Sequence, residues 1–421
     1  MLGRIRNLLS SVIKIQADEI AITLLMFTYM LTTVGAFIIG RITRSVLILE
    51  ISNFESSLPY MYIGIAITVS AIMFAYSKFE RILRRDQTNS LTLAALILIT
   101  LLCRLMLQIA GPWFYLVFFI WIEVFGTFLV VQFWSLANEI FHSRQAKRLF
   151  PIFGSGGLLA GIIAGFGANG AAKAIGTENL LFVIIGLLVI ALATLKLIAV
   201  NEIVKLESSH RQPAVRYPDK AAPLNKTKKS IFASKHLKIV AVIVVLTYLV
   251  STIVDYQFHV VVHRFIDTKI NRGIFFGVFY GVTNILAILL QLFGTGVILE
   301  KYGVLIALLL LPLTMLFGST LMMFIPVLWI GTLTKGSEQV MRYTVNDATM
   351  QMLYLPVPAG DRGRAKAFID GVLKPLSIGI GGLILALLTG IVGGNGGADV
   401  NIRLFSIIAF VLLLVWLLLL F

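Results

Sequence analysis

Cysteine and charge are both scarce in this chain. A single cysteine, Cys103, lies inside an apolar run, so one chain can form neither a disulfide nor a cysteine-based metal site. Charged residues make up 13% of the 421 positions, against about 25% in a soluble domain. With 58% hydrophobic residues, a globule could not cover its surface with polar groups. Short segments of alternating polarity are missing, which argues against a β-barrel. No glycine-rich stretch ends in Gly-Lys-Ser/Thr, so nothing suggests a phosphate-cradling loop or an ATPase. Neither a nucleophile nor a metal or cofactor constellation is visible, so an enzyme is the least expected reading and no cofactor is expected. The basic start MLGRIRNLLSSVIK has no small-residue cleavage site after it, and no Arg/Ser-rich transit peptide precedes the first apolar run.

Long apolar runs are abundant, and the mean hydropathy is +0.95. A bilayer crossing needs about 20 apolar residues with every backbone group satisfied internally, which makes each run a helix. A span-length window predicts twelve crossings: Ile20–Gly40, Leu58–Tyr76, Leu91–Ala110, Trp113–Ala137, Ile152–Ala172, Leu180–Val200, Ile239–Val261, Phe275–Ile298, Val304–Met322, Val327–Tyr343, Phe368–Val392 and Ile402–Phe421. Phe324–Pro326 divides the ninth from the tenth. Residues 201–238 are polar, basic and proline-containing. The chain therefore divides into a six-helix bundle at 1–200, a basic cytoplasmic linker at 201–238 and a second six-helix bundle at 239–421. The expected fold is an all-α membrane protein with two related six-helix halves.

The net charge of +15 sits in short loops, which orients helices and does not suggest a nucleic-acid partner. Arg4, Arg6, Lys14, Lys78, Arg81, Arg84, Arg85, Arg144, Lys147, Arg148, Arg362, Arg364 and Lys366 all fall on the linker's side. That predicts a cytoplasmic N-terminus in a bacterial inner membrane. Arg264, Lys269 and Arg272 fall on the other side and break the rule. The halves also resemble each other. SRQAKRLFPIFGSGGLLAG follows the fourth crossing and DRGRAKAFIDGVLKPLSIGIGGLI the tenth, as internal repetition would give. Gly154, Gly156, Gly157, Gly379, Gly381 and Gly382 read as close-packing positions. The chain stops inside its last apolar run, which leaves a fused or associated soluble domain as an expectation.

Charges at bilayer depth are costly and usually work. They fall in the first, fourth, seventh and tenth crossings. Helical steps of three or four align Thr33, Phe37, Arg41 and Arg44; then Glu123, Thr127, Trp134 and Asn138; then Tyr248, Thr252, Asp255, His259 and His263; then Lys335, Glu338, Gln339, Arg342 and Asn346. Asp347 follows just beyond. Four such faces would line a wet, charged tunnel. The first, fourth, seventh and tenth helices do so in the major facilitator architecture, by analogy of fold. An excess of arginine favours an anionic substrate. Structural readings stand beside these: Arg41 and Arg44 snorkelling, Lys335, Glu338 and Arg342 as an internal network, Trp134 as packing, Arg104 and Lys374 as structural.

Three stretches carry a family resemblance. EVFGTFLVVQFWSLANEIFHSRQAKRLFPIFGSGG, RITRSVLIL and RYTVNDATMQMLYLPVPAGDRGRAKAFIDGVLKPLSIGIGGLI, at the fourth, first and tenth crossings, resemble patterns of the ATP/ADP translocases of plastids and intracellular bacteria. The resemblance implies a major-facilitator-like fold and exchange of nucleotides. It places the family's first-crossing Lys on Arg44, its fourth-crossing Glu on Glu123 and its seventh-crossing Glu on Asp255. Its Lys before Tyr falls on Arg342, and the Asp of its Asp-Pro on Asp347. Departures are Ser45, Ala348 and Met350-Gln351 where the family has Asp, Pro and Lys-Glu. Some relatives carry helical-repeat or cyclic-nucleotide-binding domains. Two alternatives stay open: a proton-coupled carrier of another organic anion, and a non-transporting membrane component that has lost a soluble domain.

Overall fold

The computed structural model describes residues 19–79, 85–141, 143–209, 235–354, 356–357, 365–366, 368–393 and 402–420. The basic residues at 4, 6, 14, 81, 84, 362 and 364, and most of the linker, lie outside them.

Twelve helical runs follow one another: α1 Ile20–Ile48, α2 Phe54–Phe79, α3 Arg85–Ile109, α4 Phe114–Ile140, α5 Ser143–Ile175, α6 Leu180–Ser209, α7 Lys235–Phe265, α8 Lys269–Leu289, α9 Gly303–Phe324, α10 Leu328–Met341, α11 Lys374–Gly393 and α12 Ile402–Leu420. Wider π turns extend α8 through Leu290–Thr295 and Ile298–Tyr302, and Ile369–Leu373 leads into α11. α10 continues without a break through a π turn, Arg342–Asn346, into Asp347–Leu353. Among the described residues, eleven helices are long and apolar enough to cross a membrane. The remaining crossing is α10, whose charges at Lys335, Glu338, Arg342 and Asp347 lower its hydropathy. α9 stops at Phe324, and the chain turns before Leu328, next to Pro326. Helix fills both edges of the 201–238 segment, because α6 runs on to Ser209 and α7 begins at Lys235.

The up-and-down order gives the bundle two ends. The near end holds the starts of α1, α5 and α7, and the far end holds their last turns. Gly303 makes the tight near-end turn from α8 to α9 with φ +78, a conformation open to glycine without steric penalty. α1 and α7 are the most enclosed crossings.

The halves meet along α5 against α8 and α2 against α11. Exchanging the halves interconverts these two contacts, as a pseudo-two-fold axis requires. Small residues bring the backbones together at both. A Cβ on Gly165 of α5 would lie 2.5 Å from the Gly281 nitrogen and 2.8 Å from the Gly277 oxygen of α8. A Cβ on Gly382 of α11 would meet the Pro59 oxygen of α2 at 2.7 Å. Gly379 approaches Ala66 and Gly381 approaches Thr252 in the same way, whereas Gly154 faces open space. This is the small-residue packing that membrane helices use where no hydrophobic effect drives them together.

Candidate functional site

An open chamber enclosing about 640 Å³ of empty space lies between the halves at mid-depth. Arg41, Arg44, Glu123, Asp255, Lys335 and Arg342 line it together. On the N-terminal side Arg44 Nη2 meets Glu123 Oε1 at 2.6 Å, and its guanidinium lies 4.3 Å from the Phe119 ring centre. On the C-terminal side Lys335 Nζ lies 2.8 Å from Asp255 Oδ1 and 3.1 Å from Glu338 Oε2. Glu338, fully buried behind the wall, also takes Arg342 Nη1 at 3.0 Å and the Ser251 hydroxyl at 2.8 Å. Arg342 and Glu338 are four residues apart on one helix face, and Lys335 and Glu338 three, so helix geometry sets the network.

Arg41 differs from the other cations. It makes no ion pair with any described residue. Its guanidinium lies over the Tyr280 ring at 4.9 Å and near Phe37 at 5.8 Å. Arg41 Nε, Arg44 Nε and Nη1, and Arg342 Nε are buried without a hydrogen-bond partner. Buried donors in native proteins nearly always find acceptors, and guanidinium forks suit carboxylate or phosphate oxygens. The three carboxylates of the network leave one cation uncompensated, so the chamber is set for an anion.

Hydrogen bonds cross between the halves beside the chamber. Tyr62 donates to Asp255 Oδ2 at 2.8 Å. His259 Nδ1 donates to the Asp255 carbonyl at 2.8 Å, which leaves Nε2 to accept from the Ser45 hydroxyl at 3.1 Å. Toward the far end, three ion pairs among the described residues join acids of the N-terminal half to bases of the C-terminal half. They are Glu50 with Arg272 at 3.0 Å, Glu55 with Arg264 at 3.7 Å, and Glu178 with Lys269. The far-side cations that break the charge-placement rule are thus partnered across the interface. Burial raises the Glu178 carboxyl's pKa, but the hydrogen bond and charge of Lys269, with Arg104, outweigh it and hold the group below the usual carboxylate range. Arg104 itself ties α3 to the loop before α6 through Asn179 Oδ1, with its Nε 3.0 Å away.

Residues 71–334 match the TLC ATP/ADP transporter family. The chain belongs to that family. Its relatives include ADP,ATP carrier protein 3 of Rickettsia felis, 24% identical over 329 residues, covering 67% of this chain and 64% of that one. ADP,ATP carrier protein 2 of Chlamydia trachomatis is 23% identical over 351 residues, covering 72% and 65%. The match therefore spans just under two thirds of each carrier. The fold is that of solved transporters. A point mutant of the nucleoside transporter NupG superposes with a TM-score of 0.62 at 12% identity, covering 94% of this chain and 99% of that one. An auto-inhibited POT-family peptide transporter gives 0.64 at 12% identity, covering 94% and 96%. These are major-facilitator-type structures, and the TLC chain is a multi-pass membrane protein of that fold.

Of the residues singled out in this TLC family member, Arg41, Arg44, Glu123, Asp255, Lys335, Glu338 and Arg342 gather at the chamber. Trp134 packs between Phe133 and Phe150, with ring centres 5.2 and 5.3 Å away. Asn138 is exposed at the near end of α4, and Asp347 lines a separate cavity. The polar stripe of α4 outruns the chamber, because beyond Gln132 the helix packs its aromatic residues on α5. Tyr62 and Ser251 were not legible as site residues. Ser251 sits four residues before Asp255 and could have been found by spacing, whereas Tyr62 is on α2, which has no charged stripe.

Proposed function

We propose that the chain carries phosphorylated anions, with ATP/ADP-type exchange as the leading case, across a bacterial inner membrane by alternating access. The unpartnered guanidinium donors of Arg41, Arg44 and Arg342 converging on one chamber carry this reading. Phosphate oxygens would take those donors and compete with Glu123 for Arg44 and with Glu338 for Arg342. Substrate then shifts the balance between conformations only through its different affinity for each. The bundles at 1–200 and 239–421 would rock about the α5/α8 and α2/α11 seams, joined by 201–238, with the N-terminus in the cytoplasm. The relatives named as ADP,ATP carriers support the nucleotide assignment. Uptake of labelled ATP into ADP-loaded proteoliposomes tests it. If ATP stays outside while an unrelated solute enters, the nucleotide reading ends.

The hydrogen-bonded group of Asp255, Tyr62, His259 and Lys335 supports a second reading, in which a proton accompanies an organic anion. Asp255→Asn would then abolish pH-driven uptake and leave exchange intact.

A further inference from the structure

A second cavity, of about 540 Å³, lies at the near-end side of the chamber. Thr247, Tyr248, Asn346, Asp347, Gln351 and Lys374 line it. Tyr248 is its common wall with the chamber, since it lines both. The Tyr248 ring has Arg342 of the chamber 5.5 Å from its centre and Lys374 of the vestibule 5.3 Å away. The π turn joins the two spaces a second time. Arg342 opens that turn and Asn346 closes it. In an α-helix residues four apart share a face; the wider turn offsets them, and one lines each cavity.

The two cavities have opposite leftovers. In the chamber the groups without partners are donors. In the vestibule the cations are engaged: Lys374 with Asp370 at 2.8 Å, and Lys366, which donates to Gln351 at 3.1 Å. The groups left over there are acceptors. Asp347 is exposed to the cavity and makes no ion pair or hydrogen bond with a described residue. The Asn346 side-chain oxygen is buried and unpartnered.

Resting on the phosphate-carrier reading above, we propose that the vestibule recognises the donor-bearing end of the same ligand. Asp347 and Asn346 would accept from the exocyclic amine of a nucleobase while the phosphates occupy the arginine chamber. The site is then bipartite, and Tyr248 marks the boundary between its two parts. Such a site favours an amino-bearing base over one that presents a carbonyl oxygen at the same position, because a carboxylate cannot donate.

Binding of ATP, ITP and tripolyphosphate to the purified full chain tests this by calorimetry. ITP replaces the amine with a carbonyl, and tripolyphosphate has no base. ATP is expected to bind about 3- to 10-fold more tightly than ITP, the value of one net hydrogen bond. Asp347→Ala and Asn346→Ala should each shrink that ratio toward one while tripolyphosphate affinity holds, which also reports an intact fold. Should a variant lose tripolyphosphate as well, Gln351→Ala at the exposed rim decides, with the same expected narrowing. Equal affinity for ATP and ITP in the unaltered protein overturns the vestibule assignment and leaves the carrier reading standing. Failure of all three compounds to bind overturns the carrier reading and this one with it.

Discussion

Replacing Glu338 with Gln separates what holds the empty chamber together from what binds in it. Glu338 is fully buried and faces Lys335 at 3.1 Å, Arg342 at 3.0 Å and the Ser251 hydroxyl at 2.8 Å. Without its charge, Lys335 keeps Asp255 at 2.8 Å, but Arg342 keeps only the Tyr343 hydroxyl at 3.0 Å and two ring faces. Removing one partner of a buried pair costs about 3–5 kcal/mol. Glutamine retains an acceptor oxygen, so the loss should lie near 3 kcal/mol, the low end of that range. An anion in the chamber would restore the missing negative charge. If half of the loss is regained on binding, about 1.4 kcal/mol, affinity rises roughly tenfold. Thermal unfolding in detergent with and without ATP reads both effects. The variant should unfold earlier alone and be raised further by ATP than the unaltered protein. An unchanged melting temperature would refute the claim that Glu338 holds the empty site together. A smaller ligand-induced rise would refute the claim that it competes with substrate.

The remaining expectations are independent of that one. Arg41→Met should lower anion affinity about 10- to 100-fold, the range for a charge-assisted hydrogen bond, with little change in melting temperature because no carboxylate is stranded; Arg44→Met should lower both, since Glu123 loses its partner. Gly165→Ala should destabilise the protein by about 1–3 kcal/mol and slow transport, because its Cβ would meet backbone on α8, whereas Gly154→Ala should be silent in both assays. For Glu178 the depressed pKa in the paired state favours that state above the ordinary carboxylate range, and the gain is lost as pH falls through the lowered value. Spin-label distances across the far end should therefore lengthen on acidification, and Glu178→Gln should lengthen them at neutral pH and remove the acid response. The shift should be a fewfold change in population, since a half-exposed pair contributes about 0–1 kcal/mol.

Much of this arrangement is legible in the residues themselves. Runs of some twenty apolar positions fix where the helices cross, and a proline at 326 marks where α9 must stop and the chain turn. Steps of three and four put Lys335, Glu338 and Arg342 on one face before any coordinates are known. Spacing does not tell which carboxylate takes which cation. That Lys335 reaches across to Asp255, while Glu338 bridges within its own helix, depends on the approach of α7 to α10. Nor does it show the turn of Arg342–Asn346 as π-helical, because the sequence RYTVN carries no proline or glycine to announce it. Tyr62 joins the site only because α2 runs beside α7, a long-range fact invisible to local periodicity.

The acid-to-base pairing at the far end bears on how such a chain is made. A ribosome delivers Glu50, Glu55 and Glu178 before Arg264, Lys269 and Arg272, so the acceptor half is already in the bilayer when the misplaced cations emerge. Synthesised by itself, the C-terminal half would offer an insertion machinery positive loops on both of its sides and no counter-charges to settle the choice. The first half of the protein thus serves its second as a template for orientation.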